Sequence, residues 1–256
     1  MKEIKLDCLT FEIDDDNVAT VTSCEKSATS VVIPARVEGA HVKSVADNAF
    51  EYCDKLVSVE FPPYDLEALL ADEVFDEIGG NAFYGCTALR EVFIPCTVWT
   101  IGHGAFCRCT ALERVTLEDG LRTPYLAPYV FMDCSSLVEV TPIKSLNDGT
   151  FSGCTMLEKM PIAEDCDDIP EDCFEHCDSL TEITIPKSVK SIGPLAFRGC
   201  SNLTHVHFED PEGWTVGSVY FPDREPKKLD LTDPIKNAKW LCGMDFDDGV
   251  KGIKKA

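Results

Sequence analysis

The apolar positions of this chain return in a fixed phrase: a Phe, a Cys three residues later, and an aliphatic residue three further on. The copies are Phe50, Cys53, Leu56; Phe83, Cys86, Leu89; Phe106, Cys109, Leu112; Phe131, Cys134, Leu137; Phe151, Cys154, Leu157; Phe174, Cys177, Leu180; and Phe197, Cys200, Leu203. Their phenylalanines fall 33, 23, 25, 20, 23 and 23 residues apart. A period near 23 marks stacked coils, none of which buries its apolar face alone. The fullest copy, residues 185–208, resolves into elements. Leu203, Val206 and Phe208 predict a half-buried strand, in which apolar and polar positions alternate. A second short strand is predicted around Val189 to Ile192. Between them Ala196, Phe197 and Cys200 follow helix-like spacing and predict a single turn whose Phe plugs the core. The Pro behind the regular strand stops it, and Gly102 and Gly193 stand where the chain bends before the Phe turn.

Departures from the period predict protrusions and caps. Sixteen residues separate Pro62 from Ile78, whereas six separate Pro95 from Ile101 and Pro186 from Ile192. The insert carries Asp65 as a cap and apolar residues at Leu66, Leu69, Leu70 and Val74, which predicts a short amphipathic helix on the side of the stack. The stretch between Cys134 and Phe151 is shortened and has Leu146-Asn147 in place of the usual Ile-Gly. Segments 9–13 and 18–21, joined by Asp14-Asp15-Asp16-Asn17, predict a β-hairpin over the first coil. After Phe208, strands are expected at 214–216, 219–221 and 229–231. A helix then begins at Asp233-Pro234 and runs through Trp240-Leu241, with Gly243 behind it. Residues 245–256 are expected to be loosely held. The organisation expected is a β cap over 1–40, a coil stack over 41–208 with an inserted helix near 63–77, and a C-terminal cap over 209–256.

Charge narrows the partners. The chain has 45 acidic and 23 basic residues, a net of −22, and no basic run offsets the excess. Nucleic-acid affinity comes largely from Lys and Arg neutralising phosphates, so no nucleic-acid partner is expected. No apolar run approaches the ~18 residues of a membrane span, so no membrane insertion is expected. The N-terminus lacks the apolar core of a signal peptide. Fourteen cysteines are present, and seven of them hold one repeat position. These are expected to form a reduced, buried ladder along an inner edge, since a free Cys packs as a small hydrophobe with a weak donor. That usage and the N-terminus point to the cytoplasm.

The phrase Ile-Pro-x-x-Val-x-x-Ile-Gly-x-x-Ala-Phe-x-x-Cys-x-x-Leu resembles the BspA-like leucine-rich repeat, best over residues 31–34, 94–117 and 185–208. The resemblance covers roughly residues 30–208. It implies a β-rich leucine-rich-repeat solenoid, right-handed, here of about seven coils of ~23 residues, with a β-hairpin N-cap and a mixed α/β C-cap. The segments Phe208-Glu-Asp-Pro-Glu-Gly-Trp214 and Leu229-Asp-Leu-Thr-Asp-Pro234 resemble caps of bacterial members. The family implies non-enzymatic roles in adhesion and host interaction, often at the cell surface, an address different from the cytoplasm suggested above.

In a solenoid the outward residues of the regular strand line one face, the default binding surface. Those residues pair as Ser58/Glu60, Glu91/Phe93, Arg114/Thr116, Glu139/Thr141, Lys159/Pro161, Glu182/Thr184 and His205/His207. The expected partner is a protein, docking on Glu91, Phe93, Arg114, Thr116, Glu139, Lys159, Glu182, His205 and His207, with Phe93, Arg114 and Glu91 at the centre. A solvated strand face and a glycan- or metal-binding surface are the other readings. His205 and His207 alternate on one strand beside Glu182, yet a firm metal site needs three or four ligands. Cys107-Arg-Cys109 lacks a second pair, and the acidic clusters at 14–16 and 165–168 lack calcium-loop spacing. No G-x-S-x-G, phosphate-loop, dinucleotide or H-E-x-x-H motif occurs. The neighbours His176 and Cys177 would need the ladder Cys exposed to act as a dyad. No enzyme and no cofactor are therefore expected.

Overall fold

The computed structural model describes all residues except 65, 72, 121–122, 219–226, 243–249 and 256. The chain forms a β-rich solenoid, seen as two compact units, Met1–Thr141 and Pro142–Ala256.

The first unit opens with β1 (Lys2–Leu6), β2 (Leu9–Ile13), β3 (Val18–Cys24), β4 (Ser30–Val32), β5 (Arg36–Val37) and β6 (Ala40–Val45). It continues with β7 (Ser58–Glu60), α1 (Leu66–Leu70), β8 (Glu77–Ile78), β9 (Glu91–Ile94), β10 (Thr100–Ile101), β11 (Arg114–Leu117), β12 (Tyr125–Leu126) and β13 (Glu139–Val140). The predicted hairpin is present as β2 against β3, and β1 adds a third antiparallel strand that the hydrophobic pattern does not announce. Strand β3 then pairs in parallel with β6, so the hairpin runs straight into the ladder β6, β8, β10, β12. The second ladder, β9, β11, β13, is parallel and in register, Glu91 beside Arg114 beside Glu139. Pro95 follows β9 and cannot donate to the ladder, so the strand ends there.

Each pair of strands is joined by the Phe turn, and its backbone explains the repeat. Residues two before and two after the Phe have positive φ, as at Asn48 and Tyr52, Asn81 and Gly85, Gly104 and Arg108, and Tyr129 and Asp133. The alternation aims alternate N–H groups at the next coil: Phe50 N donates to Ala82 O at 2.7 Å, Phe83 N to Ala105 O at 2.7 Å, and Phe106 N to Val130 O at 2.9 Å. The rings stack beneath: Phe50 on Phe83 at 4.6 Å, Phe83 on Phe106 at 5.1 Å, and Phe106 on Phe131 at 5.7 Å. All four are fully buried. Gly102 is required for close approach, because a Cβ there would collide with the backbone of Gly79 and Gly80.

The insert does form a short helix, α1; its expected cap, Asp65, lies outside the described residues. The segment is tied to the sheet by Glu73, whose Oε2 takes hydrogen bonds from His41 Nε2 at 2.9 Å and from an Arg36 guanidinium nitrogen at 3.3 Å.

The second unit holds β14 (Asp168–Ile169), β15 (Glu182–Ile185), β16 (Ser191–Ile192), β17 (His205–Phe208), β18 (Trp214–Ser218), β19 (Lys227–Lys228), α2 (Pro234–Leu241) and β20 (Val250–Lys255). Strands β15 and β17 pair in parallel, Glu182 beside His205 and Thr184 beside His207. The Phe turns recur, with Phe151 on Phe174 at 5.6 Å and Phe174 on Phe197 at 5.5 Å. Helix α2 starts as predicted: Asp233 caps it, accepting from Ile235 N and Lys236 N, with Pro234 at the first position. Its buried Asn237 donates to Val206 O and Leu231 O, satisfying carbonyls behind β17.

Two expectations for the C-terminal region are corrected. Residues 250–255, expected to be loose, form β20, which pairs antiparallel with β16 and β18. The cause is the open edge of β16, which the returning chain covers, with Ile253 buried. The strand expected at 229–231 is displaced to β19, and Leu229 N instead donates to Trp214 O at 2.9 Å. The strand expected at 219–221 and Gly243 lie outside the described residues.

Candidate functional site

In the first unit the regular strand face brings five of the expected residues together. Within β9 and β11 the side chains alternate, so Val92, Ile94, Val115 and Leu117 are buried while Glu91, Phe93 and Arg114 are exposed and Thr116 is half-buried. Arg114 is the hub. Its Nε donates to Glu139 Oε2 at 2.9 Å, and one terminal nitrogen lies 3.6 Å from Glu91 Oε2. The hydrogen bond and charge of Glu139, with Glu91 and Glu113 behind them, raise the Arg114 pKa further above its already high value. The guanidinium is thereby held between glutamates of the two neighbouring strands. Phe93 stands beside Thr116 in register and is 52% exposed. Arg90 with Glu113, at 3.0 Å, borders the group.

In the second unit the expected residues separate. Glu182, His205 and His207 share the β15–β17 face. His207 Nε2 meets Glu182 Oε1 at 2.9 Å, and the two imidazoles stack at 6.4 Å. His205 Nδ1 is bonded to the Thr204 hydroxyl at 3.0 Å. Lys159 is exposed but lies on a bend outside any strand. The outward position expected of Pro161 is corrected, because Pro161 is buried. There the backbone forms only an isolated bridge, Ile143 to Ile162, and Pro161 gives its carbonyl to Ile143 N at 2.8 Å. Proline lacks the N–H that would extend a strand.

The cysteine ladder is structural. Cys86 donates to Phe50 O at 3.2 Å, Cys109 to Phe83 O at 3.1 Å, Cys134 to Phe106 O at 3.1 Å, Cys177 to Phe151 O at 3.3 Å, and Cys200 to Phe174 O at 3.1 Å. Burial pushes the thiols of Cys109, Cys134 and Cys177 up, and that of Cys200 up to about 12. Raised pKa values make these sulfurs poor nucleophiles. Cys177 and His176 do not form a dyad: the thiol turns inward to Phe151, while the imidazole lies outside over Gly199. Cys107 is buried, and its thiol is pushed up to about 11. No group of three or more His, Cys, Asp or Glu side chains among the described residues is arranged to hold a metal ion. No helix among them is long and apolar enough to cross a membrane.

One exposed aromatic pair is invisible to the alternation of the regular strand. Trp99 and Tyr125, 52% and 53% exposed, lie on consecutive coils of the other ladder, where Tyr125 N donates to Trp99 O at 2.8 Å. The signal that finds them is their place at the short second strand: Trp99 directly precedes β10, and Tyr125 opens β12 with its side chain exposed.

Comparison with known proteins agrees with this architecture. A leucine-rich repeat protein of T. pallidum is 29% identical, with a TM-score of 0.65, over 79% of this chain and 91% of that one. A leucine-rich repeat protein of Eubacterium ventriosum is 24% identical, with a TM-score of 0.61, and a leucine rich cell surface protein of Faecalibacterium prausnitzii is 24% identical, with a TM-score of 0.52. The matches cover 78% and 84% of this chain but only 50% and 56% of those two proteins. No curated protein matches. The BspA type leucine rich repeat region is matched in six copies over residues 22–141 and 127–237; the chain belongs to that family.

Proposed function

We propose that this chain is a non-enzymatic protein-binding module that docks its partner on the β9–β11–β13 face, in the adhesion or host-contact class of role that the family resemblance implies. The observation that carries the reading is Arg114 bridged between Glu91 and Glu139 with Phe93 exposed alongside. Arg and aromatic residues supply most hot-spot energy at interfaces. A guanidinium already held in one orientation also loses less side-chain entropy on docking. Glu182, His205 and His207 form the corresponding patch of the second unit, and Lys159 stands apart from it. The test is affinity capture from bacterial lysate and from host-cell surface extract, with wild-type chain and a Glu91/Phe93/Arg114 triple alanine variant as baits. The variant's melting curve is recorded alongside. A protein retained by wild type and lost from the folded variant supports this face. A partner held undiminished by the variant overturns it.

A second reading, a glycan-binding surface, is favoured by the neighbouring aromatics Trp99 and Tyr125, because aromatic faces present flat apolar platforms with a polar edge. Glycan-array binding that survives the triple variant and is lost on Trp99→Ala would select it.

A further inference from the structure

Strand β1 ends the sheet that runs β1, β2, β3, β6, β8, β10, β12. Among the described residues it pairs with β2 and with no other strand, so its second edge is open. The two-residue turn Asp7-Cys8 sets Leu6 opposite Leu9, and a pair closed by so short a turn exchanges both of its N–H to C=O bonds. Along an antiparallel ladder, bonded and non-bonded pairs alternate. Leu6, Ile4 and Lys2 therefore spend their backbone groups on β2, while those of Glu3 and Lys5 point out from the open edge. Native edges are commonly blunted by charge, often by lysine alone. This edge carries both signs two residues apart. The side chains of Glu3 and Lys5 are exposed, and no hydrogen bond or ion pair ties either of them within the described residues. Glu3 instead stands across from Glu12 in a non-bonded pair, where side chains come closest. Like charges so placed repel.

We infer that β1 is a self-association edge, on which a second copy of this chain pairs its own β1 antiparallel about a two-fold axis at Ile4. Only residues whose backbone groups point outward can exchange bonds across the new edge, so Glu3 and Lys5 must face Glu3 or Lys5 of the second copy. A register centred on Glu3 or on Lys5 sets like charges opposite each other, which is destabilising. The register centred on Ile4 sets Glu3 opposite Lys5 twice, and the same four residues make the backbone bonds. On that face the row across the strands reads Glu12, Glu3 and Lys5 of the second copy, so the incoming ammonium relieves the repulsion between the two glutamates. On the opposite face Ile4 meets Ile4. Leu6, 41% exposed, meets Lys2, whose stem covers it while its ammonium stays on Glu38. The contact is isologous and closes at two copies. Glu91, Phe93 and Arg114 belong to a different sheet or to its outer face, so pairing at β1 spends none of the proposed docking residues. Two chains of net −22 repel at long range, so the pairing tightens once salt screens that field.

The test is sedimentation equilibrium of the intact chain from low to high micromolar concentration, at physiological salt. Dithiothreitol is present so that no disulfide joins the copies. The expected mass rises from one chain to two. Glu3→Lys and Lys5→Glu each weaken the association by on the order of tenfold, because each sets like charges opposite each other twice. Mixed in equal amounts, the two variants associate as tightly as wild type, since each supplies the charge that the other lacks. Lys5→Pro removes an outward N–H that β2 does not use. It leaves one chain at every concentration, with a melting curve close to that of wild type. A wild-type mass of one chain throughout overturns the inference. So does a dimer that persists in Lys5→Pro, or a mixture no tighter than its separate variants. The mixing experiment changes only exposed side chains, so it decides the matter even where the proline variant fails to fold.

Discussion

Asp172 shows how the turn geometry reaches down to one carboxyl. It sits two residues before Phe174 at φ 53°, in the left-handed region that each Phe turn requires. Its Oδ1 is buried without a hydrogen-bond partner. Burial first, then the charges of Glu175 and Glu171, raise its pKa from 3.8 to about 6, against an opposing pull from Arg198. The sign follows from proton binding. Between pH 3.8 and about 6 the folded chain holds a proton that the unfolded chain releases, so stability falls as pH rises through that window. Above it the fold carries an ionised, poorly solvated carboxylate. Such a rise corresponds to roughly 3 kcal/mol, and solvent screening of this half-buried group reduces that to about 1 kcal/mol. Asn is nearly isosteric and tolerates positive φ. Asp172→Asn should therefore stabilise the chain by about 1 kcal/mol at pH 7 and leave it unchanged near pH 3.5. Urea titrations at both pH values decide it; an equal effect at the two would remove the carboxyl from the account.

At the scale of the element, the Phe turn was legible in the sequence and its mechanism was not. The spacing Phe, Cys, aliphatic gave the period, the buried ring and the inward thiol. It did not reveal that residues two before and two after every Phe take positive φ: Gly, Asn, Asp and His, which favour that region, hold ten of the fourteen positions, but Tyr52, Arg108, Tyr129 and Leu195 hold the rest. At Tyr52 and Arg108, N–H to C=O bonds to the next coil hold a conformation that the side chain does not favour. The same blindness hid β20, whose pairing depends on the open edge of β16 rather than on its own pattern. The strand face shows the complementary limit. Glu91, Phe93 and Arg114 were legible as outward positions from alternation alone, whereas the bridge from Arg114 to Glu139 needed the inter-coil register. The turn also yields a comparison. Phe106 is fully buried between two rings, and Tyr84 is half-buried, edge-on to Tyr52 with Arg108 5.8 Å from its ring centroid. Phe106→Ala should cost about 3–5 kcal/mol through transfer and cavity terms. Tyr84→Ala should cost about 1 kcal/mol, the scale of an exposed aromatic and cation–π contact. Equal losses in paired melting curves would place the wrong ring in the core.

Across the whole chain, charge sets a balance that no single contact shows. A net of −22 makes the folded chain repel itself, since compaction brings 45 acidic groups closer with only 23 basic ones to offset them. Opposing this are surface ion pairs such as Arg90 with Glu113, Lys144 with Asp165, and Arg114 with its two glutamates. The side chains of those pairs are more than half exposed, and each such pair contributes about 0–1 kcal/mol. Salt acts on both terms with opposite sign. It screens the diffuse repulsion, which spans distances beyond a Debye length of about 10 Å at 0.1 M, more completely than it screens ions in direct contact. Repulsion is therefore the term that salt removes first, and the melting temperature should rise by a few degrees between about 10 mM and about 300 mM sodium chloride. A melting temperature that falls over that range would mean that the ion pairs outweigh the net charge. The same field bears on the docking face. A partner approaching Phe93 and Arg114 meets a strongly negative molecule, so a basic partner should associate faster at low salt, with the salt dependence residing in the association rate. Stopped-flow association of a captured partner at two salt concentrations separates that steering from the local contacts, which set the dissociation rate.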